Sequence, residues 1–130
     1  MTPFVGGACS GATDGPRPAG TVVRVTENDF TIRVPSRIAA GEVRLLIHNR
    51  GPDMHELIVV RTSAIDLPLR PDAATVDEEG LEPLTVGALE PGPPGSVREL
   101  DLRLRPGRYE LFCNMAGHYL GGMSAMFTVE

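Results

Sequence analysis

Turn-forming residues divide the chain into short extended segments. Its 130 residues include 15 glycines and 12 prolines, whereas aromatic side chains make up only 5%. Residues 30–34 and 97–104 alternate apolar and polar side chains, the pattern of a strand with one buried face. Other short segments with strand character lie at 21–25, 43–49, 55–61, 108–113 and 123–129. About seven such strands predict an all-β, antiparallel β-sandwich.

A chain of this length is expected to form one domain with an N-terminal extension. Residues 1–20 are rich in glycine and proline, so we predict a flexible tether there and the sandwich over residues 21–130. Between residues 62 and 95 the strand pattern weakens and prolines recur. We expect this segment to be a long insertion over one end of the fold.

Composition and charge argue against two classes of partner. The net charge is −5 and the arginines form no basic block, whereas nucleic-acid binding needs clustered positive charge. The longest apolar run, at residues 57–60, has the length of a strand and is far shorter than the roughly 20 residues of a membrane helix. We therefore predict no nucleic-acid partner and no transmembrane segment.

Cys9 lies in the N-terminal extension after several small residues. Residues 5–11 resemble the end of a bacterial lipoprotein signal, although Gly6 stands where such signals usually have leucine. The residues before Cys9 are also too few for the apolar stretch of a complete signal. One hypothesis is that the signal begins further upstream and that Cys9 carries a lipid anchor. The alternative is a tail with an incidental cysteine.

A loop near the C-terminus contains three side chains that bind metals. Cys113, His118 and Met123 follow one another with four intervening residues each time, and a predicted strand lies on either side. Thiolate and thioether groups suit Cu(I), and imidazole suits both copper oxidation states. A blue-copper site uses two histidines, one cysteine and a weak axial methionine, so this loop predicts three of its four ligands.

His55 is the predicted fourth ligand. It follows the turn at residues 51–53 and begins a strand, so its side chain can point off the end of a sandwich toward another loop. His48 is the competitor. It lies within a strand, with a parity opposite to that of Leu45 and Ile47, which favours the outer face or a packing role.

These segments together resemble a single-domain cupredoxin, a small blue copper protein. The loop spacing is similar to that of the rusticyanin and sulfocyanin group. The resemblance implies a Greek-key sandwich and one type 1 copper per chain, with His55, Cys113 and His118 as equatorial ligands and Met123 as the axial ligand. The matching elements are Asn49-x-Gly51-x-x-x-His55, Pro106-Gly107-Arg108-Tyr109, Cys113-x4-His118-x4-Met123 and Phe127-x-Val129.

The same resemblance implies a monomeric one-electron carrier and no enzymatic activity. Its redox partners are expected to dock weakly near His118. The expected location is extracytoplasmic, in the periplasm or at the outer face of the cell membrane, where a lipid on Cys9 would hold it. The alternative function is copper handling, as a chaperone, store or sensor that uses the same site. A copper reductase or oxidase would need a second metal site, for which only His48 remains unassigned.

Two positions depart from the pattern of plastocyanins and azurins. Those proteins carry Asn after the first histidine and Ser or Thr after the cysteine, and the pair ties the two loops together. Glu56 and Asn114 stand here instead. A Glu56–Asn114 hydrogen bond would replace the tie and bring a carboxylate near the metal. Alternatively, Glu56 turns outward or bonds to backbone, as groups that orient ligands do.

Overall fold

The computed structural model of the protein describes residues 20–130. Cys9 and the rest of residues 1–19, where the tether and the lipid anchor are predicted, lie outside the described residues. Between residues 20 and 130, no helix has both the length and the apolar character needed to cross a membrane. The strands of this part are β1 (Thr21–Asn28), β2 (Thr31–Arg33), β3 (Arg37–Ile38), β4 (Gly41–Asn49), β5 (His55–Arg61), β6 (Thr85–Gly92), β7 (Val97–Leu104), β8 (Gly107–Phe112) and β9 (Ser124–Val129). Before β6 come a short helix, α1 (Glu78–Leu81), and a 3₁₀ turn, Glu82–Leu84.

The strands form two sheets, which confirms the predicted β-sandwich. One sheet has the order β3-β9-β8-β5-β6 and the other β2-β1-β4-β7. Most neighbouring strands pair antiparallel, as expected, but β1 pairs in parallel with β4 and β3 in parallel with β9. Between β1 and β4 the chain crosses to the other sheet as β3 and then returns. Such a crossover is what parallel neighbours need.

Alternation along the strands produces the core between the sheets. In β1, Val23 and Val25 point inward and are at most 5% exposed. In β7, Leu102 and Leu104 are buried as the alternation predicted, and Phe127 and Val129 are buried in β9. Tyr109 stacks on Phe127 with ring centroids 5.2 Å apart. The two sheets thus form a rigid support whose strand ends carry the loops.

The segment between residues 62 and 95 contains more sheet than the sequence predicted. Its last part is β6, an edge strand that pairs antiparallel with β5. Because one side of an edge strand needs no partner, β6 tolerates Pro91 and glycines that hide its strand character in the sequence. The preceding residues pack a second apolar cluster against the outer face of β5 and β8. Its buried members are Ile58, Val60, Leu67, Val76, Leu81 and Phe112.

Glu110 is a buried carboxyl group in β8. It is 2% exposed, and its Oε1 has no hydrogen-bond partner within the described chain. Burial and the nearby Asp66 raise the pKa of Glu110 to about 7, although a hydrogen bond with the Ser124 side chain opposes the shift. Between its unfolded pKa of 4.5 and about 7, the folded protein holds a proton that the unfolded chain has lost. The free energy of unfolding therefore falls as the pH rises through this range.

We expect Glu110→Gln to remove this pH-dependent loss of stability. A shift of this size corresponds to roughly 3 kcal/mol. The variant should therefore be more stable than the wild type at pH 8 by up to that amount, with the advantage lost near pH 4.5. Urea denaturation at both pH values measures the difference. Glu42→Gln, an exposed carboxylate, is the control. A wild-type pH slope retained in Glu110→Gln would contradict the assignment.

Candidate metal centre

Three donor side chains converge at one end of the sandwich. His55 begins β5, Cys113 directly follows β8, and His118 lies in the loop between β8 and β9. Their ligand atoms all lie within 4.8 Å of one another. Cys113 Sγ is 3.5 Å from His118 Nδ1 and 3.9 Å from His55 Nδ1. The arrangement gathers two imidazole nitrogens and one thiol, which is a donor set that fits copper.

All three side chains are shielded from water, although to different degrees. His55 and Cys113 are 0% exposed, whereas His118 is 9% exposed. His48 does not join them, because it lies on the outer face of β4 and is exposed. The structure thus separates the two candidate histidines as the strand parity predicted.

Met123 closes the loop that carries Cys113 and His118. Its carbonyl oxygen accepts a hydrogen bond of 3.2 Å from the Cys113 N–H, and its own N–H donates to the His118 carbonyl at 3.1 Å. The Met123 side chain is 0% exposed and belongs to the same apolar cluster as Cys113. Gly122, which precedes it, has a φ of 106°, a conformation that side chains rarely adopt. Backbone bonding therefore fixes the Met123 main chain beside Cys113 and His118.

Asn49 holds the other loop, which carries His55. The amide of this 1% exposed side chain donates to the carbonyls of Asp53 and Gly92, both at 3.0 Å. Its Oδ1 accepts the Gly51 N–H at 2.8 Å, while Gly51 has a φ of 73°. The Asn49-x-Gly51 element of the sequence is therefore a brace for the loop, which leads directly into His55.

Two backbone N–H groups point at the Cys113 sulfur. Burial raises the pKa of the Cys113 thiol to about 11, and the Glu56 and Glu27 carboxylates also raise it. Hydrogen bonds from the N–H groups of Met115 and Glu56 act in the opposite direction. A thiol with this pKa is protonated at neutral pH, so a cation that binds the sulfur displaces a proton.

The Glu56 side chain links the two ligand loops through backbone. Its Oε1 accepts the Asn114 N–H at 3.1 Å. The bond does join Glu56 to Asn114, and the carboxylate is bonded to backbone, so the structure combines parts of both sequence-based alternatives. Burial and the nearby Glu78 raise the pKa of Glu56, whereas the Asn114 N–H lowers it. The Glu56 carboxylate thus orients the Asn114 backbone, and the Glu56 N–H orients the Cys113 sulfur.

The Asn114 side chain bonds to the segment around the start of α1. Its Oδ1 accepts the Val76 N–H at 2.6 Å, and its amide donates to the Val76 carbonyl at 3.0 Å and to Glu78 Oε2 at 2.6 Å. Nearby, the Gly117 N–H donates to the Ala74 carbonyl at 3.0 Å. Asn114 therefore attaches the 62–84 segment to the loop between β8 and β9.

Sequence reasoning missed two carboxylates beside the histidines. Asp29 lies in the turn between β1 and β2, and its Oδ1 is 2.8 Å from His55 Nε2. Asp53 Oδ2 lies 3.7 Å from His118 Nε2. Burial raises the pKa of Asp29, but hydrogen bonds from the Asp53 backbone and from His55 bring it below its ordinary value. No spacing signal could reveal the Asp29 contact, because 26 residues separate it from His55.

Apolar side chains surround the edge of the His118 imidazole. Phe30 packs edge-on against the imidazole, with ring centroids 4.9 Å apart, and is itself 40% exposed. Leu120, two residues after His118, is 54% exposed, and Met54, next to His55, is 45% exposed. Met54 and Leu120 adjoin candidate ligands in the sequence, whereas Phe30 comes from the turn between β1 and β2 and carries no such signal.

No family model and no curated protein sequence matches the chain. Solved structures do match it. A dithionite-reduced auracyanin from the photosynthetic bacterium Roseiflexus castenholzii aligns with a TM-score of 0.63 at 20% identity, over 87% of this chain and 99% of that one. Auracyanin B aligns with a TM-score of 0.62 at 19% identity, over 89% and 93%. Reduced rusticyanin aligns with a TM-score of 0.62 at 17% identity, over 87% and 82%. The chain therefore has the fold of these cupredoxins.

We expect Asn114→Ala to lower the free energy of unfolding by about 3 kcal/mol, because two buried Val76 backbone groups lose their partner. Limited proteolysis should then cleave first within residues 62–84. Glu78→Gln is the matched control, since it keeps both Asn114–Val76 bonds and an acceptor oxygen for the Asn114 amide. A cleavage pattern unchanged in Asn114→Ala would show that the 62–84 segment is held by other contacts.

Proposed function

We propose that this chain is a type 1 copper protein that carries single electrons. His55, Cys113 and His118 are the proposed equatorial ligands and Met123 the axial one. The observation that carries the proposal is the convergence of two imidazole Nδ1 atoms on a buried thiol at one end of a cupredoxin fold. The fold alone would not suffice, because function depends on the residues of the site.

The ligand residues are held in place by contacts of the protein itself. Asn49 braces the loop before His55, and backbone bonds join Cys113, His118 and Met123. A copper ion bound there would alternate between its cupric and cuprous states, and the ligand set lies between the preferences of the two. Because the side chains are already positioned, little ligand movement should accompany electron transfer.

His118 is the proposed exit for electrons. Its side chain is 11% exposed, while His55 and Cys113 are fully buried. A partner that covers Phe30 and Leu120 would come near the imidazole edge without opening the site. The acidic chain favours a basic partner surface, and such encounters are small and weak. Four buried or nearly buried side chains are the proposed ligands, and we propose a carrier and not an enzyme.

An extracytoplasmic location belongs to this proposal and rests on the resemblance to cupredoxins. The lipid anchor at Cys9 stays a prediction from the sequence.

Copper handling is the second candidate. Met54 favours this function. It precedes His55 in the chain, its side chain is 45% exposed, and its thioether suits Cu(I). Rapid loss of Cu(I) to a competing chelator, together with weak redox cycling, would support this function over electron transfer.

The copper-loaded protein should show the intense blue or green absorption of a thiolate-bound Cu(II), and Cys113→Ala should abolish it. The absorption requires the sulfur–copper bond, which Cys113→Ala removes. Optical and EPR spectra provide the measurement, and His48→Ala is the control that keeps the colour. A colourless Cu(II) complex of the intact protein would overturn the proposal.

Substitutions at Met123 should move the reduction potential in opposite directions. Met123→Leu removes a weak donor and should raise the potential. A thioether is a soft ligand that suits Cu(I), but the doubly charged cupric ion is still the state that loses more stabilisation when an electron-pair donor is removed. Met123→Gln supplies a harder oxygen donor and should lower the potential. Redox titration of both variants, with the absorption band retained, measures the effect. Identical potentials in the two variants would assign Met123 to packing alone.

A further inference from the structure

A carboxylate lies against the far nitrogen of one proposed ligand. Asp29 Oδ1 is 2.8 Å from His55 Nε2, while His55 Nδ1 faces the Cys113 sulfur. A neutral imidazole carries one N–H, and a carboxylate only accepts hydrogen bonds. The proton therefore belongs on Nε2, which leaves Nδ1 free as the donor atom toward the metal. Carboxylate–histidine pairs of this kind orient metal ligands and raise their basicity.

The Asp29 side chain is itself fixed. Its Oδ1 also accepts the Asp53 N–H at 3.1 Å, and the Asp29 N–H donates to the Gly51 carbonyl at 3.1 Å. The turn between β1 and β2 is thus joined to the loop that leads into His55. Since the Asp29 side chain is only 17% exposed, water screens its charge less than that of a surface carboxylate.

We propose that Asp29 is a positioning residue of the copper site, which orients His55 and whose negative charge favours the cupric over the cuprous state, lowering the reduction potential. This inference rests on the proposed function. Removing the charge should make the oxidised state less favourable while leaving the ligands in place. Asp29→Asn does this, because an amide oxygen still accepts both hydrogen bonds.

Other charges near the ligands are placed differently. Asp53 lies 3.7 Å from His118 Nε2 but its side chain is 52% exposed, so its influence is weaker. Arg98 Nη2 contacts the His55 carbonyl at 3.3 Å and not the imidazole. The Glu56 carboxylate bonds to the Asn114 N–H and not to a histidine. In the described part of the chain, the shortest contact between a carboxylate and the imidazole of a proposed ligand is therefore that of Asp29 with His55.

The first experiment measures the potential of four full-length, copper-loaded proteins at one pH and ionic strength. They are the wild type, Asp29→Asn, Asp53→Asn and Glu42→Gln. Glu42→Gln is the matched control, because it removes the same charge far from the site. Glu42 lies at the opposite end of β4 from Asn49, and at about 3.3 Å per residue the two are roughly 20 Å apart. We expect Asp29→Asn to weaken the preference for Cu(II) by about tenfold, or ~59 mV for a one-electron couple. A smaller rise is expected for Asp53→Asn and no change for Glu42→Gln.

The second experiment observes the imidazole proton directly and does not depend on a reduction potential. In the diamagnetic Cu(I) protein, a long-range ¹H–¹⁵N spectrum should show a His55 Nε2–H that exchanges slowly with water. Asp29→Ala removes the acceptor and should make this proton exchange faster. The same spectrum of Glu42→Gln should match the wild type.

The outcomes separate this inference from the function on which it rests. An Asp29→Asn potential equal to that of Glu42→Gln, with the absorption band intact, would overturn the role of the charge. A wild-type His55 without a slowly exchanging Nε2–H would overturn the positioning role. A wild-type protein that binds Cu(II) without the thiolate band would instead overturn the proposed function.

Discussion

The antiparallel pairing of β5 with β8 is the constraint on which the candidate site depends. Its register places Ile58 opposite Phe112 and Val59 opposite Leu111. Because β5 begins at His55 and β8 ends at Phe112, the pairing brings the start of one strand beside the end of the other. His55 and Cys113, which are 58 residues apart in sequence, therefore meet at one end of the sandwich.

Hydrogen bonds from a few side chains fix the positions of His55 and Cys113 once the strands have paired. Glu56 accepts the Asn114 N–H with its carboxylate and donates its own N–H to the Cys113 sulfur. Asn49 braces the loop before His55. These polar groups lie at a partly buried end of the fold, where unsatisfied groups are costly, so their pairing also makes the arrangement rigid. Rigidity is the property that the proposed electron carrier would require.

The acidic residues around the site have distinct roles, which follow from where their oxygens point. Glu56 connects the ligand loops, and Asp29 contacts an imidazole. Asp53 contributes a backbone N–H to Asp29 and holds an exposed carboxylate near His118. Charge composition alone does not distinguish these roles, because net charge says nothing about direction or burial.

Strand patterns and loop spacing were readable from the sequence because they are local. Alternation predicted β7, and turn residues predicted where β5 begins at His55. The four ligand candidates were identified by residue type and spacing within one loop, together with the position of His55 at a strand start. The same reasoning failed for β6, whose prolines and glycines are tolerated at a sheet edge, and for the parallel pairs, which depend on how the chain crosses between sheets.

The sequence by itself thus determined the all-β class, the ligand candidates and the choice of His55 over His48. Only the tertiary structure decided what surrounds them: Asp29 behind His55, Phe30 against His118, and Asn114 bonded to Val76. These contacts join segments far apart in the chain and follow from sheet register and loop closure. Local propensity contains no information about either, because a hydrogen bond between distant residues exists only once the strands that carry them have paired.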